Sequence, residues 1–400
     1  MSSRTVKRNS ILFAALSALS AIGNAQAVDT IVSRKLAPGV DYRQIVDKRG
    51  PWRMNLVRIN LKIARVELRH ARAKDSLRGR EKTSDMARRV SESGTEVLAA
   101  INADFFELKT GENENNQELN GEWWKGLKVT DSPYDTYDNT HVQLVVDASR
   151  HLYMDRFVFD GRFWAHGATT PIITLNAKPS GTYEGVALFT SRFGNATPRD
   201  TTRKISEVAM IAAGTHRDTL LYVRSGALIA TSGSPIPSNG AVLSVFGPRV
   251  NAIKNTADGD TIKVLLATLP RLPQGKSAQM IIGGWPRILR DGKNIAGEAA
   301  TVEGSLSSNA EARHPRSAVG FSRDSSKLYL LTVDGRSENS GGTTLVELAG
   351  IMRKLGAWQA MNFDGGGSTT MVVNGRVVNV PSDSAGERTV GNALLLVKRK

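Results

Sequence analysis

Three consecutive glycines follow an acidic residue near the carboxyl end of the chain, in the segment Asn362-Phe363-Asp364-Gly365-Gly366-Gly367-Ser368-Thr369-Thr370. Glycine accepts positive φ, so this backbone can turn sharply and direct successive N–H groups toward one anion. Apolar residues on both sides of Asn374-Gly375 predict a β-hairpin directly afterwards. The segment therefore predicts a tight turn between strands. It either forms a site with Asp364 at its mouth or serves only as a connection.

Two units in the chain consist of a helical pattern followed by an apolar strand that ends on a carboxylate. Residues 83–93 predict a helix, and the strand at 97–101 leads to Asp104. A Thr-Leu-Val-Glu capping box at residues 344–347 begins a second helix, which precedes the strand that leads to Asp364. Because side chains at strand ends commonly form sites, both carboxylates are candidates for one active centre.

The remaining patterns are those of strands. Residues 29–72 alternate apolar and polar side chains, and residues 141–270 show short strand-like runs separated by Gly, Pro and Asn turns. We expect a β-rich fold of the α+β or α/β class, as a single large domain with a mixed sheet and a few packed helices. Its predicted parts are an amino-terminal β-rich segment at 28–94 and a main domain at 95–400, with a β-rich insertion at about 141–270.

The first 27 residues have the pattern of a secretory signal peptide. Three basic residues precede an apolar stretch, and the small-x-small triplet Ala25-Gln26-Ala27 follows it. The apolar stretch is shorter than the roughly 20 residues that a membrane helix needs. We therefore expect a mature protein that begins at Val28, has no transmembrane segment, and resides in the periplasm or outside the cell.

Composition narrows the partners and the chemistry. The chain contains no cysteine, which excludes disulfides, cysteine nucleophiles and cysteine-ligated zinc. The formal net charge is +15, and about +12 remains without the signal peptide. Such a surplus favours polyanionic partners such as a cell-envelope glycan, although it also occurs in basic exported proteins without a specific partner. No nucleic-acid-binding motif is present, so we expect no nucleic-acid partner.

A long polar stretch at residues 108–140 contains Trp123, Trp124, Tyr134 and Tyr137. Polar loops of this length in a compact domain are usually functional or disordered. Aromatic faces stack on sugar rings, so the stretch could line a glycan site. The alternative is that Trp123 and Trp124 anchor the loop in the core.

Five motifs together resemble the phosphodiester glycosidase family, over about residues 96–397. In chain order they are Asn102-Ala103-Asp104-Phe105-Phe106, Gly283-Gly284-Trp285-Pro286-Arg287-Ile288-Leu289, Arg316-Ser317-Ala318-Val319-Gly320-Phe321, Val333-Asp334-Gly335-Arg336 and the segment from Asn362 to Thr370. The resemblance implies hydrolysis of a sugar 1-phosphodiester at its anomeric carbon. That reaction needs a carboxylate that attacks or activates water, and positive charge near the departing phosphate.

Three carboxylates are the catalytic candidates under this resemblance: Asp364, Asp334 and Asp104. Asp334-Gly335 could instead be a turn after a strand, because Asp-Gly is a favoured turn pair. Asp104 could be a buried, hydrogen-bonded structural group. The sequence leaves these alternatives open.

The predicted substrate-binding residues would hold phosphate or sugar. Arg316 and the amides of Gly365, Gly366 and Gly367 fit an anion clamp, because guanidinium binds phosphate oxygens at two points. A solvated basic patch is the alternative for Arg316. Asn102 could orient a loop or a hydroxyl, Ser368 could bind phosphate or sugar, and Arg388 could add a second clamp.

No cofactor is required for this chemistry. Asp104, Asp334, Asp364 and Asn102 offer oxygen atoms that would suit calcium or magnesium, but no EF-hand spacing is present and the metal ligands stay undetermined. We expect an exported hydrolase, a phosphodiester glycosidase acting on a carbohydrate or sugar-phosphate substrate. The alternatives are a non-catalytic protein that binds anionic exopolysaccharide, and a glycosidase for a non-phosphorylated linkage.

Overall fold

The computed structural model describes residues 28–128, 141–179, 184–216, 218–247, 251–304 and 311–399. The predicted signal peptide, and Tyr134 and Tyr137 of the polar stretch, lie outside these residues. Strands dominate the described part and helices are few, which confirms the predicted β-rich fold. Three large sheets carry the architecture.

The first large sheet has eight antiparallel strands and joins the amino-terminal segment to the carboxyl-terminal third. In spatial order its strands are Val28–Ala37, Val40–Asp47, Trp52–Asn60, Lys327–Val333, Arg316–Phe321, Gln359–Phe363, Arg287–Arg290 and Lys293–Asn294. The helix Leu345–Leu355 packs on one face through Leu348 and Met352. Thr344 and Glu347 form the predicted capping box, and Gly356 ends the helix with φ 101°.

The second large sheet has five antiparallel strands. They are Arg376–Val377, Met371–Val373, Val97–Asn102, Asn392–Lys398 and Val66–Arg72. The helix Thr83–Glu92 covers its outer face with Met86 and Ala87. Its inner face shares one apolar core with the eight-stranded sheet, because alternate side chains of strands such as Val97–Asn102 and Arg316–Phe321 point toward each other.

The third large sheet has twelve strands and contains the predicted insertion. In spatial order its strands are Leu152–Asp155, Gln143–Asp147, Ala278–Gly283, Gln117–Leu119, Glu122–Leu127, Ala168–Leu175, Gly161–Ala165, Thr261–Leu265, Thr219–Ile229, Ile205–His216, Gly240–Phe246 and Gly185–Thr190. Parallel pairing of Ala168–Leu175 with Gly185–Thr190 closes the last seven of these strands into a ring. The ring has an apolar core of its own, which includes Phe163, Leu188 and Val208.

Short elements complete the described chain. Two strand pairs, Val158–Phe159 with Thr268–Leu269 and Glu81–Lys82 with Thr389–Val390, stand apart from the large sheets. The remaining helices are Ala73–Asp75, Asn251–Lys254, Ala296–Glu298, Ala299–Val302 and Gly366–Ser368. Across the described ranges, no helix has the length and apolar character needed to span a membrane.

Candidate active site

The candidate site forms where strands of two sheets end beside each other. Asn102 ends a strand of the five-stranded sheet, and its fully buried carboxamide joins three segments of chain. Its Nδ2 donates to Asp364 O at 2.7 Å, while its Oδ1 accepts from Ser317 Oγ at 2.6 Å and from Thr370 N at 3.0 Å. Asn102 therefore fixes both ends of the glycine segment relative to the Arg316–Phe321 strand.

Asp364 directly follows the Gln359–Phe363 strand, and its amide donates to Ala103 O at 2.7 Å. The residue remains partly exposed. The surrounding protein raises the pKa of Asp364 to about 6, chiefly by removing water from the carboxylate, and Asp104 adds to the rise. Ser368, Arg388 and the Gly365 amide oppose that rise. Asp364 is thus a carboxylate that remains largely ionised at neutral pH and can contact a substrate.

Asp104 lies beside Asp364 but is only 1% exposed. Asn115 binds both of its oxygens, Nδ2 donating to Oδ1 at 2.7 Å and the amide donating to Oδ2 at 3.2 Å. Burial raises the pKa of Asp104 to about 6, against the lowering effects of Asn115, His141 and Lys125. Since Asp104 also raises the pKa of Asp364, the two carboxylates form an interacting pair.

Two buried side chains, those of Asn392 and His70, link the Asp104 backbone to Ile281. The Asp104 amide donates to Asn392 Oδ1 at 2.9 Å, and Asn392 Nδ2 donates to His70 Nε2 at 2.8 Å. His70 Nδ1 in turn donates to Ile281 O at 3.0 Å. Burial lowers the pKa of His70 to about 3, so the imidazole is neutral and can serve as donor and acceptor at once.

Arg316 is 6% exposed, so its guanidinium does not form the solvated patch that the sequence left open. Nε donates to Thr343 O at 3.1 Å and Nη2 donates to Ala312 O at 3.0 Å. Burial lowers the pKa of Arg316 to about 10, and the charge of Asp364 opposes this change. The side chain stays cationic at neutral pH and faces the Asp364 charge.

The three glycines permit close contacts that any side chain would block. A Cβ on Gly365 would lie 2.7 Å from Pro315 O, and one on Gly367 would lie 2.1 Å from Arg388 Nη2. Gly366 has φ 60°, and its amide donates to Pro315 O at 2.9 Å. That hydrogen bond uses the Gly366 amide, which is one of the three amides predicted to bind an anion. The roles of Gly365 and Gly367 in substrate binding stay predictions.

Two further predicted ligands, Arg388 and Ser368, lie next to Gly367, Arg388 in space and Ser368 in the chain. Arg388 forms a two-point ion pair with Asp383, at 2.7 Å and 3.0 Å, so a carboxylate already balances its charge. Ser368 is fully buried, and its hydroxyl has no hydrogen-bond partner among the described residues. It lies close enough to Asp364 to lower the pKa of that carboxylate. A ligand role remains predicted for both.

Asp334 ends the neighbouring strand Lys327–Val333 and is 2% exposed. Its Oδ1 accepts from Val380 N at 3.3 Å, and its Oδ2 has no partner among the described residues. Burial raises the pKa of Asp334 to about 7, against lowering effects of Val380, Arg53 and Asn379. The carboxylate that influences the pKa of Asp364 is thus Asp104, whereas Asp334 interacts with the segment around Val380.

Part of the polar stretch at 108–140 is buried and contacts the candidate site. All six residues from 113 to 118 are buried, with exposures of 4% or less, and Asn115 of this group binds Asp104. Trp124 is buried beside Leu119, and Trp123 packs against Phe159 with ring centroids 5.2 Å apart. The anchoring alternative therefore holds for this tryptophan pair.

The calcium or magnesium cage of Asp104, Asp334, Asp364 and Asn102 stays a hypothesis from the sequence. Within the described ranges, no group of three or more His, Cys, Asp or Glu side chains could hold a metal ion. The Asn102 carboxamide is also fully occupied by protein groups.

Comparison with known proteins agrees with the motifs. Residues 213–397 match the family model of phosphodiester glycosidases. This region belongs to the phosphodiester glycosidase family. It includes Arg316, Asp334 and Asp364, whereas Asn102 and Asp104 precede it. The N-acetylglucosamine-1-phosphodiester alpha-N-acetylglucosaminidase of Mus musculus is 30% identical over 156 residues, which are 37% of this chain and 30% of the mouse protein.

Two solved structures resemble most of the chain in fold. A hypothetical protein from Synechocystis has a TM-score of 0.72 and 22% identity, over 90% of this chain and 62% of that chain. A protein of Burkholderia pseudomallei K96243, described as exported, has a TM-score of 0.65 and 24% identity, over 87% of this chain and 74% of that chain. At these identities the likeness establishes the fold alone. The family match confirms the resemblance for the four motifs that lie within residues 213–397.

Proposed function

We propose that the protein is an exported glycosidase that hydrolyses a sugar 1-phosphodiester at the anomeric carbon. The observation that carries the proposal is the partly exposed Asp364, whose charge interacts with the Arg316 guanidinium and with Asp104. A carboxylate is the group that attacks an anomeric carbon or activates water there. A guanidinium held in a low-dielectric site stabilises the negative charge that gathers on the departing phosphate.

In the proposed reaction, a water oxygen forms a bond to the anomeric carbon. The bond between that carbon and the phosphate oxygen breaks, and its electron pair leaves with the phosphomonoester. Asp364 takes the water proton as a base, or first attacks the carbon as a nucleophile and is then released by water. Both routes release the sugar and a phosphomonoester, but the base route inverts the anomeric configuration and the nucleophile route retains it. A phosphomonoester leaves easily, so the site has less need of a general acid than an ordinary glycosidase.

Supporting residues have separate roles in this scheme. The charge of Asp104 raises the pKa of Asp364. Asn102 holds the Asp364 backbone through its 2.7 Å hydrogen bond, so that the carboxylate keeps one position. Asp334 accepts a hydrogen bond from the Val380 amide and stays a catalytic candidate without an assigned step in this scheme.

Family membership and the relatives support the same reaction class. The mouse relative is named for cleavage of an N-acetylglucosamine-1-phosphodiester, but the match spans 30% of its length, so sugar and aglycone stay proposals here. Export is supported by the predicted signal peptide and by the description of the Burkholderia pseudomallei protein. A cell-envelope glycan with phosphodiester-linked sugars would suit the positive charge of the chain.

The direct test is a substrate panel for the purified protein. The panel contains methyl diesters of several sugar 1-phosphates and the p-nitrophenyl glycosides of the same sugars. We expect turnover of at least one diester, with kcat reduced about a hundredfold or more in Asp364→Asn, which keeps size and packing. Turnover of glycosides alone would favour the non-phosphorylated linkage. Binding of anionic polysaccharide without turnover of any substrate would favour the non-catalytic alternative.

A further inference from the structure

The guanidinium of Arg336 also lies at the glycine turn, but its solvent exposure differs from that of Arg316. Arg336 is exposed, whereas Arg316 is 6% exposed. It follows Gly335 just after the Lys327–Val333 strand and has φ 59°. A left-handed backbone is uncommon for arginine, and such residues cluster at functional sites. This residue was not among those that the sequence singled out for binding.

The contacts of Arg336 are with neutral groups. Its Nη2 lies 3.4 Å from His314 Nδ1, and its Nη1 lies 3.5 Å from Ser382 Oγ. A Cβ on Gly366 would lie 3.0 Å from Nη2, so the guanidinium rests directly over this glycine. None of the carboxylates in the described ranges lies within ion-pair distance of it. Arg388, by contrast, is paired with Asp383.

Positive groups therefore gather around the same turn. Arg336 and Arg316 interact unfavourably, since Arg336 lowers the pKa of Arg316. Both arginines also lower the pKa of His314, after the larger effect of burial. Like charges held together are destabilising unless an anion lies between or beside them. Apart from Asp364, which interacts with Arg316, the cluster has the character of an anion site.

The two guanidiniums are available to a ligand to different extents. Two main-chain carbonyls accept hydrogen bonds from Arg316, at 3.1 Å and 3.0 Å, and hold it in place. The Arg336 contacts are long, and the side chain borders solvent. A planar guanidinium in this setting can bring two N–H groups to one phosphate at little loss of existing bonds.

We propose that Arg336 binds the phosphate of the substrate over Gly366 and thereby selects glycosyl phosphodiesters over neutral glycosides. The proposal rests on the function proposed above and adds a specificity-determining residue to it. In this proposal the phosphate lies over Gly366, two residues after Asp364, and because Arg336 is exposed the group esterified to the phosphate has access to solvent. Large aglycones, including polymers, then fit without a closed pocket.

The test compares Arg336→Gln and Arg336→Lys with the matched control Arg150→Gln. Arg150 is also an exposed arginine with a left-handed backbone, at φ 67°, in the turn after the Gln143–Asp147 strand. For the diester that the wild type hydrolyses, we expect KM to rise about tenfold or more in Arg336→Gln and less in Arg336→Lys. The Arg150 variant and hydrolysis of a neutral p-nitrophenyl glycoside stay within about twofold. Circular dichroism and thermal unfolding verify that each variant folds.

A diester KM that stays within about twofold in folded Arg336→Gln would overturn the proposal. Equal losses on diester and neutral glycoside would also overturn it, because a structural role affects both substrates. If the wild type hydrolyses no diester, the proposed function fails. Titration with inorganic phosphate then tests separately whether Arg336 forms an anion-binding site. Phosphate binding that is present in wild type and Arg150→Gln but weakened in Arg336→Gln supports the site. Equal phosphate binding in all three contradicts it.

Discussion

Replacing Asn102 by alanine should damage both stability and the site, because its carboxamide serves three segments at once. The change removes hydrogen bonds of 2.7, 2.6 and 3.0 Å to Asp364 O, Ser317 Oγ and Thr370 N. The Ser317 hydroxyl can rotate to another acceptor, but the Thr370 amide and the Asp364 carbonyl cannot. At about 1–3 kcal/mol for each unsatisfied group, we expect the free energy of unfolding to fall by roughly 3–5 kcal/mol.

The matched control is Asn176→Ala in the ring of strands. Asn176 is also fully buried and makes comparable bonds, to Trp124 O at 2.8 Å, Thr190 Oγ1 at 2.9 Å and Thr190 N at 2.7 Å. Urea unfolding should show a loss of stability for both variants, with an added cost in Asn176→Ala because Asn176 has φ 52°, which alanine adopts less readily. Only Asn102→Ala should lose activity per folded molecule, by about a hundredfold, because its Asp364 backbone is released.

Amide hydrogen exchange gives a readout that needs no substrate. Exchange at Thr370 should accelerate in Asn102→Ala and stay slow in Asn176→Ala. An Asn102 variant with full activity per folded molecule and a protected Thr370 amide would refute the positioning role. Unchanged stability in that variant would refute the hydrogen-bond account as well.

Three further predictions follow from the carboxylates. Burial raises the pKa of Asp334 to about 7, so the folded state binds its proton more tightly and the wild type loses stability as pH rises from about 4 to 7. In urea unfolding, the free energy of unfolding of Asp334→Asn relative to wild type should be roughly 1–4 kcal/mol higher at about pH 8 than at about pH 4. An equal difference at the two pH values would contradict this prediction. Activity should rise with pH through an apparent pKa near 6 that belongs to the Asp104–Asp364 pair. Asp104→Asn should lower that apparent pKa. A pH profile of activity that is unchanged in this variant would argue against coupling of the two carboxylates. Chelation with EDTA should leave turnover within about twofold, because the proposed reaction is carried by a carboxylate and a guanidinium. Loss of activity that calcium or magnesium restores would contradict this prediction.

Local signals in the sequence predict local structure well. The Asn374-Gly375 pair forms the predicted hairpin turn, with φ of 46° and 75° and with Val373 paired to Arg376. Both residues adopt the left-handed conformation that a type I′ turn requires, so the turn is encoded by two adjacent side chains. The capping box at Thr344 is equally local, because its two hydrogen bonds join residues three positions apart.

The buried polar part of the site is harder to predict. Residues 113–118 contain only Asn, Glu and Gln, a composition that indicates a solvated loop, yet each is buried. Their burial depends on partners outside the segment, such as Asp104 for Asn115, 11 residues away, and Phe157 for Asn116, 41 residues away. The network through Asn392 and His70 links positions 322 residues apart, and no local pattern reveals it.

The charges at the site show the same limit. The sequence offers Arg316 as an anion clamp and Arg388 as a candidate second clamp, but main-chain carbonyls hold Arg316 and Asp383 holds Arg388. Arg336 stands in the motif Val333-Asp334-Gly335-Arg336, and an exposed arginine carries no sequence signal that separates a ligand from a solvated side chain. Its position over Gly366 comes only from the tertiary structure.

Hydrolysis in oxygen-18 water tests the central claim most directly, because it identifies the bond that breaks. The diester chosen by the substrate panel is turned over by the wild-type protein, and both products are analysed by mass spectrometry. Attack at the anomeric carbon puts the label on the sugar, and we predict label there, none on phosphate, and no turnover beyond background in Asp364→Asn. Label on the phosphate, with Asp364→Asn still active, would contradict the glycosidase assignment and leave the family likeness as evidence of fold alone.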